Sequence, residues 1–301
     1  MNLLITGAWR DAHDHISNIE ELGHKVVYMP DESTPLPVEP EWVQGVICNG
    51  LFLKQDIRRF VNLEYIQLTS AGLDRVDLPY VQENSIALCR AQNVYSTPMA
   101  EFCLAAVLQI YKQMPCFAVH QNDCEWQKIL NLTELSGKQV CIVGCGQIGR
   151  ACARRFAAFE CRVVGVDCDT TPLAEFAAVH PIEKLDDVLV QSDIVVLCVP
   201  LNESTKHLMN RHRIDLLKPS CMVVNIARGG VLDTQALIDR LQTDELYAVL
   251  DVHEVEPLPQ DSPLWSMERV VVTPHNSFVG EGNARRLYQE IITNLKEYCD
   301  A

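Results

Sequence analysis

Val143-Gly144-Cys145-Gly146-Gln147-Ile148-Gly149-Arg150 is the stretch that decides the fold of this chain. It follows an apolar run, Val140-Cys141-Ile142, and opens a segment with helical spacing, Ala151-Cys152-Ala153-Arg154-Arg155-Phe156-Ala157. Strand, glycine turn and helix in this order give Gly-x-Gly-x-x-Gly a physical meaning. Gly144 permits the tight turn, Gly146 lets backbone approach a pyrophosphate, and Gly149 lets the helix pack closely on the strand. The helix N-terminus at Gln147 and Ile148 offers unpaired N–H groups and the positive end of its dipole to the phosphates. A second apolar run, Val163-Val164-Gly165-Val166, ends on Asp167, eighteen residues after Gly149. A carboxylate there can accept hydrogen bonds from an adenosine ribose. It would also repel the 2′-phosphate of NADP, and Cys168-Asp169-Thr170 bring no cation to neutralise one, so the pattern predicts NAD.

The whole chain sets bounds on this reading. Its 301 residues and 48% hydrophobic content allow two medium domains with real cores. A formal charge of −15 argues against nucleic acid and against an anionic membrane surface, and points to a solvated exterior. No apolar run approaches the roughly 18 residues of a membrane span, and Met1–Gly7 reads as a first buried strand rather than a signal peptide. The thirteen cysteines are scattered, with no Cys-x-x-Cys pair and no zinc-like spacing. They read as reduced thiols of a cytoplasmic protein that holds no metal. His13-Asp14-His15 reads as a solvated helix face. Cys145, inside the glycine turn, reads as a small apolar filler whose oxidation would hinder cofactor binding.

Alternating apolar runs and polar helical segments imply α/β structure with parallel sheets. The runs predict strands at 3–6, 25–29, 45–48, 65–68 and 86–88. A second set is predicted at 139–143, 162–166, 194–199, 221–225, 247–250 and 270–272. One long helix is predicted from Thr97 to Met114, so apolar that burial on more than one side is expected. A final amphipathic helix is predicted over 283–298.

Three motifs in the second half end strands with chemically useful side chains. Asn225-Ile226-Ala227-Arg228-Gly229-Gly230 sets an arginine beside flexible backbone, suited to bidentate recognition of a carboxylate. Asp251-Val252-His253-Glu254-Val255-Glu256-Pro257 follows the next strand; taken alone, its three acids read as solvated. Thr273-Pro274-His275-Asn276-Ser277 ends the last strand with a histidine. All three fall where ligands collect in an open α/β sheet, at the carboxyl ends of its strands.

These motifs, with Pro200-Leu201-Asn202-Glu203-Ser204-Thr205, Ser262-Pro263-Leu264-Trp265, Ser70-Ala71-Gly72-Leu73-Asp74 and Met99-Ala100-Glu101, run in one order along nearly the whole chain. Together they resemble the D-isomer-specific 2-hydroxyacid dehydrogenase family. The resemblance implies two Rossmann-like, doubly wound parallel-sheet domains with a cleft between them. A discontinuous catalytic domain would comprise 1–99 plus 277–301, and the NAD-binding domain 100–276. It implies that Arg228 binds the substrate carboxylate, that His275 is the acid/base and that Glu256 is its partner. Gly144, Gly146, Gln147, Ile148, Gly149, Asp167, Pro200, Thr205, Ile226, Ala227 and Asp251 would face the dinucleotide. Ser70, Ala71, Gly72 and Tyr95 would meet the substrate, a small 2-hydroxy or 2-keto acid. The chemistry is coherent on its own terms: hydride transfer at a hydroxyl carbon needs a group to take or return the hydroxyl proton. A carboxylate beside that histidine would orient the ring and favour the imidazolium.

Departures from the family pattern bear on the substrate. Phosphoglycerate-type members show Arg-Ser-x-Thr after the third strand, where this chain has Cys48-Asn49-Gly50-Leu51-Phe52, so a phosphate-binding arginine is not evident there. Arg58, Arg59 and Arg90 read as surface charges. Formate dehydrogenases carry an amide in place of Glu256, which argues against that activity. The fold also serves nicotinamide-sensing corepressors, the alternative to an enzyme, and oxidation of an oxyanion such as phosphite could use the same arginine and histidine. A homodimer is expected through the helix after Pro98 and the arm to Leu135.

Overall fold

In the first half of the chain, each short apolar run forms a strand covered on both faces. The strands are β1 (Asn2–Thr6), β2 (Lys25–Met29), β3 (Gly45–Cys48), β4 (Tyr65–Leu68) and β5 (Ala87–Cys89), all parallel in the order β2-β1-β3-β4-β5. Every residue of β3 and β4 is buried, the pattern of a parallel sheet sheltered on both sides. One side packs Val43, Val46, Phe60, Ile66 and Val81. The other packs Leu3, Ile5, Trp9 and Tyr65 against Leu287, Ile291 and Leu295 of the last helix. Short helices α1 (Ile16–Glu21) and α2 (Leu78–Glu83) lie in the connections; Asp77 caps α2 by accepting the Tyr80 N–H. The structure, a computed structural model, describes residues 1–243 and 246–300. Ala301, the end of the predicted catalytic domain, lies outside them.

The chain divides into two compact units, Met1–Tyr95 with Gly280–Ala301, and Ser96–Val279. The second begins with α3 (Ser96–Tyr111) and α4 (Met114–Asn122). Next come β6 (Gln139–Val143), α5 (Gln147–Ala158), β7 (Arg162–Val166), β8 (Ala178–His180), α6 (Leu185–Leu189) and β9 (Ile194–Leu197). It ends with α7 (Arg211–Asp215), β10 (Met222–Asn225), α8 (Thr234–Thr243), β11 (Tyr247–Leu250) and β12 (Val270–Val272). Its sheet is parallel throughout, in the order β12-β11-β10-β9-β6-β7-β8. The chain winds outward one way from β6 and the other way from β9. That reversal opens a crevice at the carboxyl ends of these two strands. Helix α9 (Asn283–Asp300) then returns to the first unit and buries its Leu287–Ile291–Leu295 stripe there.

One sequence expectation is corrected, and one strand had not been foreseen. The single helix over 97–114 is two helices, because Pro115 has no N–H to give the Tyr111 carbonyl and its ring would crowd that oxygen. Gln113 turns left-handed (φ 49°), and the Tyr111 carbonyl accepts the Thr133 N–H instead. β8 had no clear sequence signal, since Ala178-Val179-His180 holds one β-branched residue in three. His13-Asp14-His15 lies in a 3-10 turn with His13 and Asp14 exposed, as a solvated helical face requires, while the His15 ring stacks on Tyr288 at 4.0 Å and on Trp9 at 5.5 Å. All thirteen cysteines are free thiols; Cys124, Cys168 and Cys299 are exposed. No single described helix is long and apolar enough to cross a membrane.

Candidate active site

The glycine turn is built as its spacing demands. Gly144 has φ 98°, and a Cβ there would come within 2.8 Å of the Cys198 backbone, so the turn after β6 lies directly against the end of β9. A Cβ on Gly149 would overlap the Gly144 carbonyl oxygen. Gly146 faces open space, with nothing within 4 Å of where a side chain would begin. The three glycines thus serve different ends: Gly144 and Gly149 seal the turn, and Gly146 leaves room for a phosphate at the start of α5. Asp167 stands at the end of β7, accepting the Cys145 N–H (2.6 Å) and the Asp169 N–H (3.1 Å). Arg150 and Arg154 of α5 are both held by Glu175, at 3.0 and 2.9 Å. This cradle fits a dinucleotide without a 2′-phosphate. Cys145 is buried beneath it, and burial together with the Asp167 charge pushes its thiol up to about 12.

Further along the same edge, the loop after β9 is closed by Thr205, whose hydroxyl donates to the Pro200 carbonyl (2.6 Å) and accepts the Asn202 N–H (2.8 Å). The turn after β10 is shaped by Asn225, a fully buried amide. Its Oδ1 accepts the Ala227 N–H and its Nδ2 donates to the Arg228 carbonyl, both at 3.1 Å. Ile226 and Ala227 are buried, so they present backbone rather than side chain. Arg228 is half-buried and donates to the Ala227 carbonyl at 2.9 Å. A Cβ on Gly229 would overlap the His253 carbonyl group, so this turn rests on the backbone of the loop after β11.

That loop and the one after β12 bring His275 and Glu256 together. His275 Nδ1 meets Glu256 Oε2 at 2.9 Å, and Glu256 Oε1 accepts the His253 N–H at 3.0 Å. Burial pushes the Glu256 carboxyl up, but the hydrogen bonds from His275 and the His253 amide outweigh it and leave it below the ordinary glutamate range. His275 is left-handed (φ 51°), a conformation costly for a side chain with a Cβ, and its N–H donates to the Asp251 carbonyl at 2.7 Å. Phe278 stands edge-on to the ring at 5.9 Å.

Asp251, expected to face the dinucleotide, is buried, and both its oxygens accept hydrogen bonds from the His275 loop. Oδ1 accepts from Thr273 Oγ1 (2.6 Å) and the Asn276 N–H (2.8 Å), and Oδ2 accepts from the Ser277 N–H (3.0 Å). Nor are the neighbouring acids merely solvated: Glu254 meets His207 Nε2 at 2.6 Å and accepts the Thr234 N–H at 3.2 Å. The His253 ring reaches the Thr273 carbonyl at 3.2 Å, tying the two loops together. Sequence reasoning missed Asn225, His207, His253 and Thr273. The available signal was a polar residue closing an apolar strand, which holds for Asn225 and Thr273; for the two histidines there was none.

In the first unit, Ser70, Ala71 and Gly72 form a half-buried turn after β4. The Ser70 hydroxyl donates to the Gly72 carbonyl, and Arg90 donates to the Ala71 carbonyl, each at 3.2 Å. Arg90 is therefore a loop brace rather than a free surface charge. The Tyr95 hydroxyl donates to the Thr69 carbonyl beside that turn.

Residues 104–277 match the family model described as "D-isomer specific 2-hydroxyacid dehydrogenase, NAD binding domain". A glyoxylate reductase of Thermofilum pendens is 34% identical over 227 residues, 71% of this chain and 65% of that protein. A hydroxypyruvate reductase of Thermotoga maritima is 32% identical over 241 residues, 78% of this chain and 77% of that protein. The matched stretch therefore spans just under two thirds of the first relative and about three quarters of the second. Among solved structures, a D-isomer specific 2-hydroxyacid dehydrogenase family protein from Aeromonas salmonicida superposes with a TM-score of 0.85 at 25% identity, covering 99% of this chain and 95% of its own.

Proposed function

Because this chain belongs to the D-isomer specific 2-hydroxyacid dehydrogenase family, we propose that it interconverts a small D-2-hydroxy acid and its 2-keto acid with NAD. Bound NAD(H) supplies or accepts the hydride. The observation that carries the reading is the His275–Glu256 pair at 2.9 Å, on the same sheet edge as the glycine turn and Arg228. Glu256 occupies Nδ1, which leaves Nε2 to exchange a proton with a substrate oxygen. In the oxidising direction the hydroxyl proton passes to Nε2 as the C2 hydride departs and the carbonyl forms; reduction returns it. Arg228 offers a planar fork to the substrate carboxylate. Ser70, Ala71, Gly72 and Tyr95 are the substrate-side residues of the first unit in this reading, and 100–276 serves as the cofactor domain. Asp251 we assign to positioning, for its carboxylate is spent on the His275 loop. Small substrates are favoured by the names of the two relatives, by the absence of arginine at Cys48-Asn49-Gly50, and by Phe278 beside the His275 ring.

The test is NADH oxidation across glyoxylate, pyruvate, hydroxypyruvate, phosphohydroxypyruvate and bulkier 2-keto acids, repeated with NADPH. Turnover of a small keto acid, lost in His275→Ala while NADH still binds, and crippled in Arg228→Ala, is expected. Undiminished turnover in either variant refutes the role given to that residue. NADH binding with no turnover anywhere on the panel would favour a nicotinamide sensor instead.

The partner we propose is a second copy of the chain. Met114 and Val119 of α4 are exposed, and on the arm that follows Trp126 is 98% and Leu130 89% exposed. Phe102, Leu108 and Ile110 of α3 are only half-buried within one chain. Such apolar exposure favours a covering surface. Light scattering should give twice the chain mass of 33.9 kDa; a monomer at micromolar concentration refutes it.

A further inference from the structure

The sequence offers His207 and Glu254 no role, yet their side chains join three loops of the second unit. His207 Nε2 lies 2.6 Å from Glu254 Oε1, and Glu254 Oε2 accepts the N–H of Thr234, the first residue of α8. The His207 backbone is left-handed (φ 46°), and its N–H donates to the Gly230 carbonyl at 2.8 Å. The Arg228-Gly229 turn, in its own right, presses on the backbone of His253 and Glu254, too close for any Cβ at Gly229. One carboxylate therefore fastens the segment just after the Pro200–Thr205 loop, the segment leading from Arg228 into α8, and the loop that carries Glu256. Burial pushes the Glu254 carboxyl up, and the bonds from Thr234 and His207 outweigh it, so it stays ionised and able to hold both donors.

We infer that His207 and Glu254 form a positioning pair that locks the cofactor-side loop to the Arg228 turn and the acid/base loop. Neither group touches the reacting atoms; each acts through the loops it holds. Glu254 grips two of those loops and His207 one, so their loss has distinct consequences. Without the His207 side chain the segment that follows the Pro200–Thr205 loop keeps its backbone bonds to Gly230 and Val231, but the loop is held less firmly and cofactor affinity falls. Without Glu254 the Arg228 turn is loosened as well, and the substrate is held less firmly. The second consequence rests on the function proposed above; the first needs only that NADH binds.

The experiment compares His207→Ala, Glu254→Ala, the double variant, and the conservative Glu254→Gln and His207→Gln. NADH affinity is read from the change in nicotinamide fluorescence on binding, with urea unfolding as the control for folding. The pair is 41% and 33% exposed, so its loss corresponds to NADH binding about fivefold weaker in each alanine variant. The double variant should be no weaker than Glu254→Ala alone, because the two residues act as one contact. Glu254→Gln and His207→Gln, which keep a donor–acceptor pair, should bind NADH within about threefold of the parent on the same reasoning. With a turned-over keto acid, Glu254→Ala should raise the substrate KM where His207→Ala leaves it near the parent value. Should Glu254→Ala not fold, the His207 variants and Glu254→Gln carry the test. Parent-like NADH affinity in folded His207→Ala, or a double variant whose loss is the product of the two single losses, overturns the inference. Absence of turnover in the parent protein would defeat the proposed reaction and leave the NADH titrations standing.

Discussion

Asp251→Asn separates a carboxylate that positions the acid/base from one that touches the cofactor. Oδ1 of Asp251 takes two hydrogen bonds, from Thr273 Oγ1 and the Asn276 N–H, while Oδ2 takes one, from the Ser277 N–H. An asparagine keeps the first two by leaving its oxygen at Oδ1, and its NH2 then meets the Ser277 N–H donor to donor. Asp251 is 0% and Ser277 2% exposed, so water does not rescue the orphaned amide. A buried donor left unpaired costs about 1–3 kcal/mol. Asp251→Ala abandons both amides and the Thr273 hydroxyl, and should cost about 3–5 kcal/mol. In neither variant is the Asp251 carbonyl lost, so the His275 N–H keeps its partner at 2.7 Å while its loop loosens. A displacement near 1 Å at a catalytic group is worth roughly a hundredfold in rate. Urea unfolding, NADH titration and turnover are measured on the same preparations. The expected result for Asp251→Asn is lower stability, a lower kcat and an unchanged NADH dissociation constant. The reasoning is refuted if Asp251→Asn matches the parent in stability within about 0.5 kcal/mol, the scatter of surface substitutions. It is equally refuted if NADH affinity falls while stability and turnover hold, since the carboxylate would then belong to the cofactor.

Gly149→Ala sets a methyl group onto the Gly144 carbonyl oxygen and must open the turn, so NADH affinity should fall at least tenfold by the ordinary cost of overpacking, about 1–3 kcal/mol; affinity retained in a titration would show that α5 can shift freely. Asp193 accepts the Gln139 N–H and pairs with Lys218, both at 2.8 Å. Burial pushes its carboxyl up, but Lys218 and the Gln139 amide outweigh this and hold it below the usual aspartate range. Its stabilisation is therefore present above the unfolded aspartate value of about 3.9 and is lost as pH falls through the lower folded value. Urea midpoints should show the parent above Asp193→Asn at pH 7 and 5, with the gap closing toward pH 2; a gap of constant size contradicts the pairing. Cys145, pushed up to about 12, should resist iodoacetamide at pH 7.5 while exposed Cys124 and Cys299 react, because the thiolate is the nucleophile. Mass spectrometry finding Cys145 alkylated first would restore the idea that oxidation there gates cofactor binding.

The strands of both sheets were legible because parallel strands covered on two faces must be unbroken apolar runs, and Val140–Val143 or Tyr65–Leu68 can be little else. The glycine turn was legible for a related reason: Gly144 and Gly149 have no room for a Cβ, so steric need shows directly in residue type. Helix ends were read less well. Pro115 carried the information that α3 must stop at Tyr111, yet the apolar spacing ran on to Met114. The site was legible only as strand ends bearing Arg228, Glu256 and His275. Which acid paired with which histidine depends on a close approach between residues such as 207 and 254, and no local spacing encodes that. Asp251 is the clearest case. The resemblance assigns it to the cofactor side, and only the fold shows the three hydrogen bonds that its oxygens accept from the His275 loop.

The same point changes the meaning of the chain's acidity. A charge of −15 reads as a solvated exterior, but many of the acids at the strand ends are not spent on water. Asp251, Glu254 and Glu256 each accept at least one backbone N–H at the sheet edge, and Asp167 takes two. Glu32 accepts the Asn49 and Gly50 N–H groups and the Thr6 hydroxyl in the first unit, and Glu290 accepts the Gln92 and Asn93 N–H groups ahead of Tyr95. A carboxylate can receive several donors at once and needs no particular approach direction along the chain. It thus suits loops that leave parallel strands with their amides unpaired and must still hold one conformation. Lysine and arginine, which only donate, can cap carbonyls but cannot gather amides. The loop that carries His275 therefore draws on Asp251 and Glu256, and part of the excess of aspartate and glutamate follows from the architecture of the edge.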